Sequence, residues 1–385
     1  MSAGSLRVGL AWTLLVAHGA IASASKETGR CFLPGPTPRS AGETAQSNWY
    51  VDASCGDDSW TGQSPACIPP DGPKRTIQAA MSAALTGDEV ILADGVYRGE
   101  GNKWLSFPGQ YFTVRSENGP ASCILDLEDS GLAFFLVADE TPQAVVQGLT
   151  IENGRSGEGG AFFIHHASQV VIRECVLRNN LSTSSGGAIH CDTNASPTIL
   201  DCVIVGNTAL GWGGGLAFFT GGSTPRILGC LVAGNSAGSE GGGLFHSGFG
   251  GGPEVVNSTI ADNSTGGQVG GIFVDAGNTV LVVNSVLWRN DGAPLGGPGS
   301  PLATFSNVEG GWPGQGNLDA DPQFAPGTYR LGRGSPSIDA GDDDSVPAEL
   351  LLDLAGRPRI LDGDHDGIAV VDQGAFEFVA RVLRR

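Results

Sequence analysis

The sequence predicts an all-β protein, a right-handed parallel β-helix with three short strands per coil and a repeat near 27 residues. Three observations lead there. A segment recurs at near-constant spacing, the 385 residues include 61 glycines, about twice the ordinary share, and no helical periodicity lies between the recurring segments.

The segments VQGLTIEN, IRECVLRNN, LDCVIVGN, LGCLVAGN, VNSTIADN and VNSVLWRN align on Asn153, Asn180, Asn207, Asn235, Asn263 and Asn290, at successive spacings of 27, 27, 28, 28 and 27. After the first five comes a glycine pair and an apolar residue, as in Gly159-Gly160-Ala161 and Gly186-Gly187-Ala188. The segments are short, β-branched and alternating, which favours strands over helical hairpins. One coil cannot bury its own apolar side, so coils stack at ~4.8 Å and share a continuous core. The six asparagines are then expected to form a structural ladder at one turn, in a position that tolerates left-handed geometry. Five residues earlier stand Cys175, Cys202 and Cys230, with Gly148, Ser258 and Ser285 in the other coils. This column reads as small, inward and thiol-bearing, because in-register neighbours point their Cβ atoms in parallel and dispose the sulfurs poorly for bonding.

Either side of the repeats the chain changes character. Residues 1–24 read as a signal peptide, with Arg7, an apolar run from Val8 to Ala17 and the small pair Ala22 and Ala24 around Ser23. The mature chain is expected to be exported and to lack a membrane-spanning segment. Residues 25–97 form a cap and first coil, with an amphipathic helix from Thr76 to Ala84 closing the core and a first strand from Glu89 to Ala93. The β-helix repeats occupy 98–316, and 317–385 closes the structure. Of the eight cysteines, Cys55 and Cys67 close a short loop and form the one expected disulfide. With 21 Lys+Arg against 40 Asp+Glu, the net charge of −19 argues against nucleic acid and anionic membranes. A polyuronate would need bridging cations.

The residues also carry a resemblance. Asn-terminated strands followed by GGA or GGG resemble the repeats of bacterial right-handed β-helix proteins of the pectate-lyase-like group and of polymorphic outer-membrane adhesins. The stretches YVDASCGDDSW and KRTIQAAMSAALTGDEVILADGVY are similar to the entry cap of many secreted β-helices. GNLDADPQF, YRLGRGSPSIDAGDDD, DLAGRPRILDG and DQGAFEF resemble the ending of choice-of-anchor Q domain-containing proteins. The resemblance implies the fold strongly and leaves activity open, since the group includes lyases, hydrolases, epimerases and adhesins.

Candidate chemistry falls on the strand after each glycine pair. With Phe162, Ile189, Leu216, Leu244 and Ile272 inward, alternation turns Phe163, His190, Ala217, Phe245 and Phe273 outward, and two residues on His165, Asp192, Phe219, Ser247 and Asp275. Phe163, Phe219, Phe245 and Phe273 are candidate substrate-binding residues for stacking sugar rings. His165 and Asp192, in one column on adjacent coils, are a candidate base and orienting carboxylate. Glu174 and Asp201, outward on adjacent coils, are a candidate glycosidase pair, whereas Asp192 and Asp275 sit too far apart. The arginines of the repeats, such as Arg173, Arg178 and Arg226, lack the aspartate cluster a Ca²⁺-assisted lyase needs. Asp362, Asp364 and Asp366 match the first half of an EF-hand-like loop, but position twelve is Gln373, with Asp372 one residue early, so the loop reads either as a structural Ca²⁺ site with these four carboxylates or as a solvated acidic turn.

These readings converge on a monomeric, secreted or surface-associated β-helix that binds extracellular polysaccharide, or serves as adhesin or scaffold, without catalysis. The alternative is a polysaccharide lyase or glycoside hydrolase.

Overall fold

A computed structural model describes residues 46–380 apart from Pro108, Ser223 and Phe249. The signal segment lies outside the described residues. The chain winds as a right-handed parallel β-helix whose strands stack into three long sheets and one short one. Sheet A has ten strands, from Asn48–Val51 to Leu302–Thr304. Sheet B has nine, from Gly95–Tyr97 to Asn307–Val308. Sheet C has seven, from Phe134–Leu136 to Ala293–Gly296, and sheet D five two-residue strands, from Arg155–Ser156 to Ser264–Thr265. One coil illustrates the path: Val171–Arg173 in A, Val176–Arg178 in B, Leu181–Ser182 in D and Ile189–Asp192 in C.

The repeat residues dictate this stacking. Ile172, Ile199, Ile227, Val255 and Val282 fill one inner column, Leu177, Ile204, Val232, Ile260 and Leu287 a second, and Phe162, Ile189, Leu216, Leu244 and Ile272 a third, all fully buried. The glycine pairs are forced by contact between coils: a Cβ on Gly187 would lie 2.0 Å from the Gly214 carbonyl oxygen, and Gly186 before it has φ +67°.

The asparagine ladder is present in five coils. Each amide nitrogen donates to the carboxamide oxygen of the next asparagine, at 3.0 Å for Asn180 to Asn207, Asn207 to Asn235 and Asn235 to Asn263. The same oxygens accept the backbone N–H of the preceding asparagine. Asn153 is a correction. The pairing of Glu152 with Arg178 puts Asn153 beside Asn179, and Gly154 takes the ladder position, its N–H donating to Asn180 Oδ1 at 2.9 Å. The left-handed residue is the one before each ladder position, Asn153 before Gly154 and Asn179, Asp262 and Arg289 before ladder asparagines, and not the ladder residue.

The thiol column is displaced in the same way. Leu149, not Gly148, sits beside Cys175, followed by Cys202, Cys230, Ser258 and Ser285. Cys175, Cys202 and Cys230 are free and buried. Backbone N–H groups run up the column, Cys202 N to Cys230 Sγ at 3.4 Å and Cys230 N to Ser258 Oγ at 3.1 Å.

At the N-terminal end the helix is Ile77–Met81, capped by Thr76, with Ile77, Ala80 and Met81 against the core. Glu89–Leu92 is not the first strand, because Asn48–Val51 pairs with it in parallel. Cys55 and Cys67 form the disulfide. At the far end the last coil is covered by the loop to Leu318, with Val308 N–H donating to Leu318 O and Trp312 packed on the core. The following segment turns back along the flank at the junction of sheets A and B. Leu350 packs with Leu200, Leu228, Val256 and Val283, Ala375 N–H donates to Thr259 Oγ1, and Asn284 Nδ2 donates to Asp342 O. No helix among the described residues is long and apolar enough to cross a membrane.

Candidate functional site

Sheet C carries the outward aromatics. Registration runs Phe135, Phe163, His190, Ala217, Phe245, Phe273 in one column. The rings form a continuous stack: Phe135 on Phe163 at 5.2 Å between centroids, Phe163 on His190 at 5.4 Å and Phe245 on Phe273 at 5.3 Å, the last two pairs within 3° of parallel. Ala217 leaves a gap that Phe219 fills from the adjacent column, 5.4 Å from His190 and 5.2 Å from Phe245.

This geometry corrects the expectation of ring faces open to sugar. The faces of Phe163, Phe219 and Phe245 are occupied by their neighbours, so these rings offer edges. The exposed aromatic surface belongs instead to two indoles that alternation did not single out. Trp212, in the turn before Gly213, leans on Phe219 and Phe245 and is 43% exposed; Trp104 stands edge-on to Phe135 and is 52% exposed. The sequence signal for Trp212 was a bulky residue in the turn column otherwise held by Glu158, Ser185 and Glu240, whose members are linked by Gly186 N–H to Trp212 O and Gly213 N–H to Glu240 O.

At the other end of these strands His165 and Asp192 are brought together, Nε2 to Oδ2 3.9 Å. Thr193 Oγ1 lies 3.1 Å from His165 Nε2 and donates to Asp192 Oδ1 at 3.3 Å. Both ring and carboxylate are part-exposed, so the group can hydrogen-bond a ligand hydroxyl or accept a proton from one. His190 is different. Buried between Phe163 and Phe219, with Ser185 Oγ 2.9 Å from Nδ1, its imidazole is pushed down to about 4 by burial, against the pull of Asp192, and is neutral at pH 7. Its Nε2 has no hydrogen-bond partner and lies 4.0 Å from Glu158 Oε2. His246 is inward and buried, as alternation required.

Glu174 and Asp201 do not form a solvated pair. Each occupies the left-handed position between sheets A and B, φ +54° and +51°. Glu174 is exposed and accepts from Gln147 Nε2, whereas Asp201 is covered by the returning C-terminal segment, close to Leu350 and Arg359 at Gly229. Burial pushes the Asp201 carboxyl up to about 7, opposed by Arg359 and reinforced by Glu174 and Asp353. Within the same segment Arg359 and Glu377, each with a side chain 1% exposed, pair at 3.0 Å. Burial and the Asp372 charge push the Glu377 carboxyl up against the pull of Arg359, and Asp372 is raised to about 7, again chiefly by burial.

Asp362, Asp364 and Asp366 present oxygens within 4.8 Å of one another. Asp372 does not join them: its carboxylate accepts the backbone N–H groups of Asp339 and Phe378. Asp339 faces Asp364 and Asp366 instead, across the hollow they line with Arg333 and Phe378. Both Asp339 oxygens and Asp362 Oδ1 are buried without a hydrogen-bond partner, a donor set suited to a hard cation.

The profile of the family described as right handed beta helix region matches residues 132–308. Those residues are the stacked repeats. A crystal structure of pectate lyase Pel9A is similar at 16% identity, over 88% of this chain and 98% of that one, with a TM-score of 0.47. No curated protein matches the sequence.

Proposed function

We propose that this protein is an exported β-helix that binds polysaccharide across sheet C without cleaving it. The observation that carries the reading is the surface itself: two exposed indoles, Trp104 and Trp212, braced on a rigid ring stack, with His165, Asp192 and Thr193 grouped at the strand ends. Aromatic faces with nearby hydroxyl-binding groups suit a sugar chain. Export is supported by the signal-like leader and by the Cys55–Cys67 disulfide, a bond that persists in oxidising compartments.

Two features weigh against catalysis. The carboxyls raised toward a general acid's range are away from sheet C: Asp201 lies beneath the C-terminal segment, and Asp372 and Glu377 are buried within it. Of the arginines that a lyase could use as base, Arg115, Arg178 and Arg226 are held in ion pairs with Glu89, Glu152 and Glu254, Arg173 donates to Gln147, and Arg155 stands on sheet D. The enzyme reading rests on the His165 and Asp192 contact alone. Co-sedimentation with a polysaccharide panel, followed by analysis of the soluble sugars, separates the two: binding without shortened or unsaturated products is expected, and products that vanish on His165→Ala would establish catalysis.

Ca²⁺ is proposed as a structural ligand of Asp362, Asp364 and Asp366, with Asp339 replacing Asp372 as the fourth carboxylate. Its role would be to neutralise the carboxylates that join the loop at Asp362 to the segment at Asp339.

A further inference from the structure

Charge is distributed unevenly around the coil. The seven strands of sheet C contain no Lys or Arg. Most basic side chains of the repeats lie on sheets A and B, where cross-coil carboxylates neutralise several of them, as in Arg178 with Glu152 at 2.6 Å and Arg289 with Asp262 at 2.6 Å; Arg155, exposed on sheet D, is the exception. The borders of sheet C carry acids instead. On the turn side stand Glu158 and Glu240, in one column with Trp212 between them; at the strand ends stand Asp139, Asp192 and Asp275. Among the described residues none of these five is paired with Lys or Arg; Glu240 accepts the backbone N–H groups of Gln268 and Val269, and Asp275 the Ser247 hydroxyl.

A second observation points inward from the same border. His190 is 2% exposed, its Nε2 is unpartnered, and that nitrogen faces Glu158. The surface therefore combines an exposed indole, flanking carboxylates and a buried polar atom with unused capacity. A polyuronate is disfavoured by this field, and a neutral glycan would leave the charge of these carboxylates uncompensated. An ammonium group answers both, since it pairs with carboxylates and is attracted to the face of an indole.

Resting on the polysaccharide reading above, we infer that sheet C takes a cationic amino-sugar polymer, with free amines set against Glu158, Glu240 and Asp275 and sugar rings against Trp212. The probe is a β-1,4-linked glucosamine polymer at pH 6, compared with its N-acetylated form and with polygalacturonate. The amine polymer is expected to bind about tenfold tighter than the acetylated one, with affinity falling as salt rises. Glu158→Gln with Asp275→Asn should weaken it about fivefold, whereas Glu117→Gln with Asp344→Asn, two exposed acids off this face, should not. Equal affinity for amine and acetylated polymers, or equal loss in the two double variants, overturns the charge assignment and leaves the polysaccharide reading standing. Tightest binding to polygalacturonate overturns the assignment outright. Absence of binding to all three overturns both.

Discussion

The carboxamide oxygen of Asn207 accepts two hydrogen bonds from Asn180, from its backbone N–H and from Nδ2, both at 3.0 Å, while Asn207 Nδ2 donates to Leu177 O at 2.9 Å and on to Asn235 Oδ1 at 3.0 Å. One buried side chain thus satisfies the turn backbone of its own coil and the coil before it. The coils are locked in register by polar bonds as well as by apolar packing.

Asn207→Ala strands at least two buried backbone groups, so a loss of about 2–4 kcal/mol is expected in urea unfolding. Asn153 lies outside the ladder in a left-handed position, φ +59°. Asn153→Gly keeps a backbone that glycine adopts freely and loses one part-buried hydrogen bond, Nδ2 to Asp126 Oδ1 at 2.9 Å, so it should cost about 1 kcal/mol and less than Asn207→Ala. Equal losses in the two variants would contradict the register.

Phe219 shields one face of His190 and fills the gap over Ala217. Phe219→Ala should cost about 2 kcal/mol and admit water to the imidazole. The His190 pKa, depressed to about 4 by burial, should then rise toward the ordinary histidine value, as followed by NMR titration of the ring protons. An unchanged titration would mean that something other than Phe219 keeps the ring dry.

The carboxylate cluster should respond to metal. Adding Ca²⁺ is expected to raise the thermal midpoint and chelator to reverse it. Asp364→Asn and Asp339→Asn should each abolish the response. Asp372→Asn should lower stability through the N–H groups of Asp339 and Phe378 yet keep the Ca²⁺ shift. Loss of the shift in Asp372→Asn alone would restore that residue as a ligand.

Docking of the C-terminal segment should depend on pH. Burial is the chief cause that raises the folded pKa values of Asp201 and Asp372 to about 7, from the ordinary aspartate value of 3.8. Their contribution is fully present below the unfolded value and is lost as pH rises through about 7. Hydrogen exchange of the segment around Leu350 should therefore be slower at pH 5 than at pH 8, after correction for intrinsic rates. Faster opening at pH 5 would mean that ionised carboxylates hold the segment.

The repeat made the sheets, the inward columns and the ladder legible, because residues one coil apart impose the same spacing on the sequence. The ladder's start is ambiguous in the sequence, where IRECVLRNN offers two adjacent asparagines and only backbone pairing tells Asn179 from Asn180. Alternation gave the side on which Phe163, Phe245 and Phe273 emerge but not their ring orientation, so a stack was read as a row of open faces. Asp201 and Asp339 were beyond reach for another reason. Their neighbours come from the returning segment, whose contacts span separations such as the 123 residues between Arg226 and Glu349, which no local pattern encodes.

The central claim is that sheet C is a glycan-binding surface without chemistry, and its most direct test is affinity electrophoresis through polysaccharide gels, with product analysis of the same mixtures. Retardation of the wild-type chain in at least one glycan, lost in Trp104→Ala with Trp212→Ala and accompanied by no shortened or unsaturated sugar, is the predicted result. Retardation unaffected by losing both indoles, or product formation that depends on His165, would contradict it.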